Sequence, residues 1–249
     1  MKSNLCHARG SGHPKIACMD SRFRGNDRVQ VIDLGLVDYL EADKIQREIL
    51  GEVKAGFKEA ALIFAKFFPV YTIGRSGSPE NILVSQEFLN RQGIRSLKVN
   101  RGGDVTLHNP GQLVVYPIFN LAFLKKDIGW YLRSLEEVII EALSGFGIHS
   151  GRKKGRTGVW VKDDKIASIG IAVSKWVTYH GIALNINNDL SYFDYINPCG
   201  IKGCRMTSVA KVATAGIGTE EVKKALIERF RSVFGIEIDA GIRAEACVA

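Results

Sequence analysis

The stretch Gly158–Val173, GVWVKDDKIASIGIAV, places two apolar runs on either side of a charged corner at Lys162 to Asp164. Runs of β-branched and aromatic residues broken by a short polar turn predict a β-hairpin. Working outward, Trp176–Thr178 and Ile182–Ile186 predict a further pair of strands, and Gln112–Leu121 (QLVVYPIFNL) predicts another. Upstream, Val29–Leu34, Ala61–Phe68 and Val70–Gly77 read as short strands, the last ending in a turn, with a strand at Leu97–Val99. Three- and four-residue spacing of Ala42, Ile45, Ile49, Val53 and Phe57 predicts an amphipathic helix between Asp38 and Phe57. A second long helix is expected over Ile128–Gly145, burying Trp130, Leu135, Val138, Ile139 and Leu143. A third, capped by Thr219, carries Val222, Leu226, Phe230 and Val233 before a closing IEID strand, and Ser85 caps a short helix that stops at Gly93. Strands in runs, with few long helices and no regular βαβ alternation, disfavour a Rossmann fold. They predict an α/β (α+β) domain whose mixed, largely antiparallel sheet is packed with helices.

The chain has 249 residues, near the upper limit for a single core, and no linker or internal repeat divides it. Residues 1–28 have little apolar periodicity and are expected to be a disordered leader. Residues 29–240 are the expected catalytic domain, and 241–249 a flexible tail. No stretch approaches the roughly 18 consecutive apolar residues of a membrane helix, and the N-terminus lacks the apolar region of a secretory signal. Five cysteines, an odd number, argue for reduced thiols and a cytoplasmic protein rather than a disulfide framework. The net charge of +8 is uneven, since the leader alone has six Lys or Arg against two Asp. No basic stripe interleaved with aromatics marks a nucleic-acid surface. The one dense cluster, Arg152, Lys153, Lys154 and Arg156, suits an acidic protein partner.

Three segments are richer in polar residues and glycine than a core-and-surface pattern needs. In RGGDVTLHNPGQ (Arg101–Gln112), glycines let backbone approach a ligand, and Thr106 and His108 add side-chain donors to the same loop. The same string also reads as an elaborate turn, and it matches neither a Walker loop nor GxGxxG. Lys165 opens the KIASIG strand, where an exposed lysine blunting a sheet edge is the commoner case. Cys199 lies between Pro198 and Gly200 in a tight turn, which favours exposure, although a lone cysteine is more often a small buried hydrophobe. Cys199 and Cys204 lack the second pair a zinc site needs, so no metal is expected.

Taken together, PVYTIGRSG (Pro69–Gly77), RGGDVTLHNPGQLVVYPI (Arg101–Ile118), GVWV (Gly158–Val161), KIASIG, HGIALNINNDL (His180–Leu190), INPCGI (Ile196–Ile201) and TSV (Thr207–Val209) resemble one family. It is the octanoyl-acyl-carrier-protein–protein octanoyltransferases of lipoate biosynthesis, and the strings occur in family order over roughly residues 30 to 235. The resemblance implies a biotin/lipoate protein ligase-like catalytic domain and a reaction with no cofactor. An octanoyl or lipoyl group would pass from acyl carrier protein to a cysteine thioester, then to a lysine on a lipoyl domain. Acceptors would be the lipoyl domains of 2-oxoacid dehydrogenases and the glycine cleavage H protein, and a monomer with no nucleic-acid or membrane partner is expected. By motif position the acyl carrier is Cys199 and the lysine that lowers its pKa is Lys165. The acyl-binding segments are Arg101, Gly102, Gly103, Asp104, Val105, Thr106, Leu107 and His108, then Ser168, Ile169 and Gly170, then Gly181, Ile182 and Ala183.

The chemistry fits the transfer. A free thiol with pKa of about 8.5 is mostly protonated at neutral pH, whereas the thiolate is the nucleophile. A nearby ammonium favours the charged sulfur. Backbone N–H groups of the Gly-rich loop or near Gly200 are candidate oxyanion donors, and Ile169, Ile171 and Leu184 are candidates to line an apolar slot. Two places depart from the family pattern. Leu107 and Asn109 stand where Tyr and Gly are usual, with Asn109 expected to tolerate a left-handed backbone. Lys66 and Phe67 replace a Glu-His pair. The rival readings are an ATP-dependent lipoate or biotin ligase and an inactive carrier-binding module of the same fold.

Overall fold

A computed structural model describes residues 28–243. In chain order the elements are β1 (Arg28–Val37), α1 (Tyr39–Ala55), β2 (Ala61–Phe67), β3 (Val70–Ile73), α2 (Gln86–Arg91), β4 (Arg95–Lys98), β5 (Val105–His108) and β6 (Gln112–Ile118). There follow α3 (Ile128–Ser144), β7 (Gly151–Lys153), β8 (Arg156–Val161), β9 (Asp164–Ser174), β10 (Val177–Asn185), α4 (Val209–Val212), α5 (Thr219–Phe234) and β11 (Glu237–Arg243).

Eight strands form one sheet in the order β11-β1-β2-β6-β10-β9-β8-β7. Only β1 pairs in parallel, with β2 and β11, and the remaining pairs are antiparallel. The strand alternation decides the layers. Leu62, Phe64, Leu113 and Val115 point to one face, where Leu135, Val138 and Ile139 of α3 and Leu226 and Phe230 of α5 cover them. Ala61, Ile63, Val114 and Tyr116 point to the other face, under Tyr39, Ala42, Ile49 and Val53 of α1. A smaller sheet, β4-β3-β5, buries Tyr71, Ile73, Val105 and Leu107 with Leu89 and Phe193.

The helix ends follow local chemistry. Asp38 caps α1 by accepting from Leu40 N, and Asp127 caps α3 by accepting from Trp130 N. At α5 the cap is Gly218 rather than Thr219, which is the first helical residue, and Glu221 accepts the Gly218 N–H at 2.7 Å.

Several expectations need correction. Trp176–Thr178 and Ile182–Ile186 do not form two strands, because β10 is continuous and pairs with both β6 and β9. Lys175 and Trp176 have φ of 52° and 67°, the left-handed pair that a two-residue hairpin turn demands, so Trp176 belongs to the corner. Val105–His108 is strand rather than loop. Trp130 and Val233 are only partly buried against the core. β11 extends through Arg243, so three residues of the expected tail are strand. The leader expected over residues 1–28 lies, apart from Arg28, outside the described residues.

Candidate active site

Cys199 sits in a single turn, Pro198–Gly200, with φ 58° and ψ 24°. A left-handed non-glycine residue costs on the order of 1–3 kcal/mol and persists only where its surroundings enforce it. Here the Gly200 N–H closes the turn on Asn197 O at 2.9 Å, and Asn197 N donates to Asn81 O at 2.8 Å. The Asn81 amide in turn donates to Asp104 Oδ2 at 2.8 Å. A Cβ on Gly200 would lie 2.6 Å from that same carboxylate oxygen, so the glycine lets the turn press against β5.

Lys165 comes from the start of β9, 34 residues away in sequence, and its Nζ donates to Cys199 Sγ at 3.0 Å. The lysine is only 1% exposed and makes no ion pair with a carboxylate among the described residues. Its backbone is clamped to the segment following the cysteine, through Lys165 N to Arg205 O and Thr207 N to Lys165 O, both 2.9 Å. The Trp160 ring lies 5.2 Å from the ammonium. Space for the side chain exists because residue 158 is glycine. At φ 129°, a Cβ there would meet Lys165 Cε at 2.7 Å. Glu136, fully buried, accepts the Gly158 N–H at 3.0 Å and holds that strand in place.

Beside this pair lies a cleft that includes Cys199 in its wall. Arg101, Gly102, Gly103, Asp104, Thr106 and His108 line it. So do Ser168, Ile169 and Gly170 of β9, opposite Gly181, Ile182 and Ala183 of β10. Val105 and Leu107 do not, since strand alternation turns them into the core of the smaller sheet. Ile171 and Leu184, expected in an apolar slot, lie instead in the main core. The Gly200 and Gly102 N–H groups are engaged, the latter on Ile171 O at 2.8 Å.

Arg101 is the buried cation of the cleft. It donates to Thr72 O at 2.6 Å and to Thr72 Oγ1 at 2.9 Å, and burial pulls its pKa below the usual guanidinium value. His108 is committed to the scaffold, with Nδ1 2.8 Å from Gln112 Oε1 and Nε2 3.4 Å from Thr72 Oγ1. Gln112 donates onward to Asn185 Oδ1, and Asn185 to Thr207 O, which links four of the quoted strings. Burial, helped by Arg101, pushes His108 down to about 3, so it is neutral at physiological pH. Asn109 keeps an ordinary backbone and does not use the left-handed region. Its side chain holds the loop instead, donating to Asp189 O at 2.8 Å and accepting from Asn188. Phe67 packs its ring 5.5 Å from His108 and 5.2 Å from Tyr39.

Sequence reading missed four further lining residues, Tyr39, Val114, Tyr116 and His180. The available signal was alternation, because Tyr116 shares a strand face with Val114, which also lines the cleft. Burial raises Tyr39 to about 12 and Tyr116 well above its usual value, so both phenols stay protonated. The basic cluster is partly neutralised. Arg152 pairs with Glu136 and Glu137, and Lys153 with Asp163, while Lys154 and Arg156 have no ion pair among the described residues.

Residues 38–231 match the family described as the lipoyl protein ligase A/B catalytic domain. The chain is similar to lipoate-protein ligase A in a crystal structure with bound ATP, with TM-score 0.71, 16% identity, and coverage of 88% of this chain and 90% of that one. It is also similar to Ta0514 of T. acidophilum, a lipoate protein ligase homologue solved with bound lipoic acid, with TM-score 0.69, 17% identity and the same coverages. At these identities the likeness is one of fold. The chain belongs to the lipoyl protein ligase A/B catalytic-domain family. Within that family it falls among the octanoyltransferases, which are acyltransferases. It is 48% identical over 213 residues to the octanoyltransferase of Thermoanaerobacter pseudethanolicus, covering 84% of this chain and 92% of the relative.

Proposed function

We propose that the protein moves an octanoyl or lipoyl group from acyl carrier protein to the lysine of a lipoyl domain, with Cys199 as the intermediate carrier. The observation that carries this reading is the contact between Lys165 Nζ and Cys199 Sγ at 3.0 Å, in a place where no carboxylate among the described residues pairs with the buried ammonium. Burying an unpaired cation is costly. A thiolate supplies the missing negative charge and is at the same time the reactive form of sulfur.

The thiolate attacks the donor's thioester carbonyl, and the tetrahedral intermediate collapses by expelling the carrier's thiolate, which takes a proton from Lys165. The acceptor's ε-amine then attacks the Cys199 thioester. Its proton returns to Lys165 as the amide forms and the thiolate is restored. Gly103 and Asp104 line the cleft, and their N–H groups make no hydrogen bond within the described residues, which supports them as oxyanion donors. Arg156 and Lys153 act electrostatically on Cys204, near the nucleophile, which supports this edge as the approach for an acidic carrier protein. The acceptors are lipoyl domains of 2-oxoacid dehydrogenases and the glycine cleavage H protein, met by a monomer in the cytoplasm. Among the described residues no helix is long and apolar enough to cross a membrane.

Intact-protein mass spectrometry after mixing with octanoyl-acyl carrier protein, without ATP, tests this. The expected result is an octanoyl increment on Cys199 that is discharged to an added lipoyl domain and absent in Cys199→Ala. Product that forms only with ATP would assign the chain to the ligases instead.

A further inference from the structure

Trp160 is 2% exposed, yet it belongs to none of the three apolar clusters. Its burial therefore has a reason other than core packing, and the β8–β9 hairpin supplies one. The two-residue corner at Lys162 and Asp163 pairs Val161 with Asp164 and makes Trp160 the direct partner of Lys165. Residues directly opposite in an antiparallel pair project from the same face of the sheet. On the other side Trp160 is opposite Gly151 of β7, which has no side chain to compete for the ring. The next pair is Val159 with Ala167, so β9 inserts Ile166 as an extra residue just beyond the lysine. Lys165 Nζ lies over the indole, 5.2 Å from the ring centroid, and 3.0 Å from Cys199 Sγ. The ammonium thus has two partners, a sulfur and a π face.

The face of an aromatic ring attracts a cation electrostatically, most strongly for indole and where water is excluded. It has no such attraction for a neutral amine. A proton on the Lys165 nitrogen leaves the sulfur as thiolate, whereas a proton on the sulfur leaves a neutral amine. The ring therefore favours the reactive arrangement of the pair. We propose that Trp160 is a positioning residue of the acyl transfer, whose π face holds the Lys165 ammonium and keeps the proton on nitrogen rather than on Cys199. The proposal rests on the acyl-transfer reading given above and adds the group that sets the place of the proton.

The test changes the ring electronically at nearly constant shape. The chain has three tryptophans, so Trp130→Phe with Trp176→Phe leaves Trp160 alone. This full-length chain is produced with tryptophan or with its mono-, di- and tetrafluorinated forms, since fluorine withdraws electron density from the ring face. Iodoacetamide alkylation of Cys199 at pH 7, located by peptide mass spectrometry, should slow stepwise with fluorine number, about two- to tenfold in all. Acylation by octanoyl-acyl carrier protein should slow in parallel, through kcat rather than KM, with thermal midpoints unchanged. Trp160→Phe should keep part of the rate that Trp160→Leu loses. With Lys165→Met the fluorine series should be flat. Rates that ignore fluorine overturn the proposal. So does an equal decline in the Lys165→Met chain, because the ring would then act without the ammonium. Normal octanoyl acylation with a flat series leaves the transferase reading standing, whereas a wild-type chain that takes no octanoyl on Cys199 removes both.

Discussion

Two lysines among the described residues are almost completely buried, and their surroundings differ in kind. Lys223 of α5, 2% exposed, is held by Asp33 and Glu220. Burial alone would lower its pKa, but the bonds to the two carboxylates outweigh that and raise it. Lys165 is buried to the same degree and, among the described residues, meets a thiol and the Trp160 ring but no carboxylate. A cation matched by carboxylates ties α5 to β1 and has no chemistry left to do. A cation left to a thiol stabilises negative sulfur and can give up or receive a proton. If Lys165 acts as proposed, burial does not separate a structural lysine from a reactive one, but the partner does.

Replacement of Lys165 by Met gives the largest expected effect. Transfer should fall roughly 10²–10⁴-fold, the usual worth of a positioned proton donor with a charge. Iodoacetamide alkylation of Cys199 at pH 7 should slow as well, while thermal stability holds or rises because the cost of burying the cation has gone and the thiol left behind can take up a proton. A stability loss as large as that of the Lys223 variant would erase the distinction. Gly158→Ala comes next, because its Cβ meets Lys165 Cε and its φ of 129° is strained for alanine. About 2–4 kcal/mol should be lost in urea unfolding, with slower alkylation of the displaced pair. Lys223→Met leaves Asp33 without its cation and should cost about 1–3 kcal/mol, while acylation of Cys199 persists. An acylation defect there would tie the two lysines together.

A separate, pH-dependent effect concerns the buried histidines. His108 and His180 sit at about 3 and about 4 when folded, against an ordinary 6.5. Between those values the unfolded chain binds more protons, so stability is complete above pH 6.5 and declines as pH falls toward 4. Each histidine contributes a slope of about 1.4 kcal/mol per pH unit. Urea midpoints at pH 7, 6 and 5 should show this decline, and His108→Gln should flatten it by one histidine's share.

Much of the fold was legible, because long apolar periodicities survive in α1, α3 and α5 and strand runs survive in β2, β6, β8 and β9. β10 was misread as two pieces because Tyr179, His180 and Gly181 interrupt its apolar run. Gln46, arriving from α1, makes that polar interruption tolerable in the sheet. His108 looked like a ligand donor and is tied to Gln112 four residues on, a partnership set by the turn that joins β5 to β6. Asn109 was expected to keep its loop through backbone tolerance and does so through its side chain. Tyr39, Tyr116 and His180 escaped notice because each comes from a different element and they converge only in the cleft wall.

The order of motifs and the period of the apolar residues were enough to determine the family and the α/β architecture, and to single out Cys199 and Lys165 as the pair proposed to carry the chemistry. Whether those two meet was beyond such reading. A side chain at the head of β9 reaches solvent or sulfur according to strand register, the vacancy over Gly158, and the bonds that clamp residues 205 and 207 across Lys165. Local patterns encode which face a residue takes. Contact between groups 34 positions apart is a property of packing, which exists only after the sheet has closed.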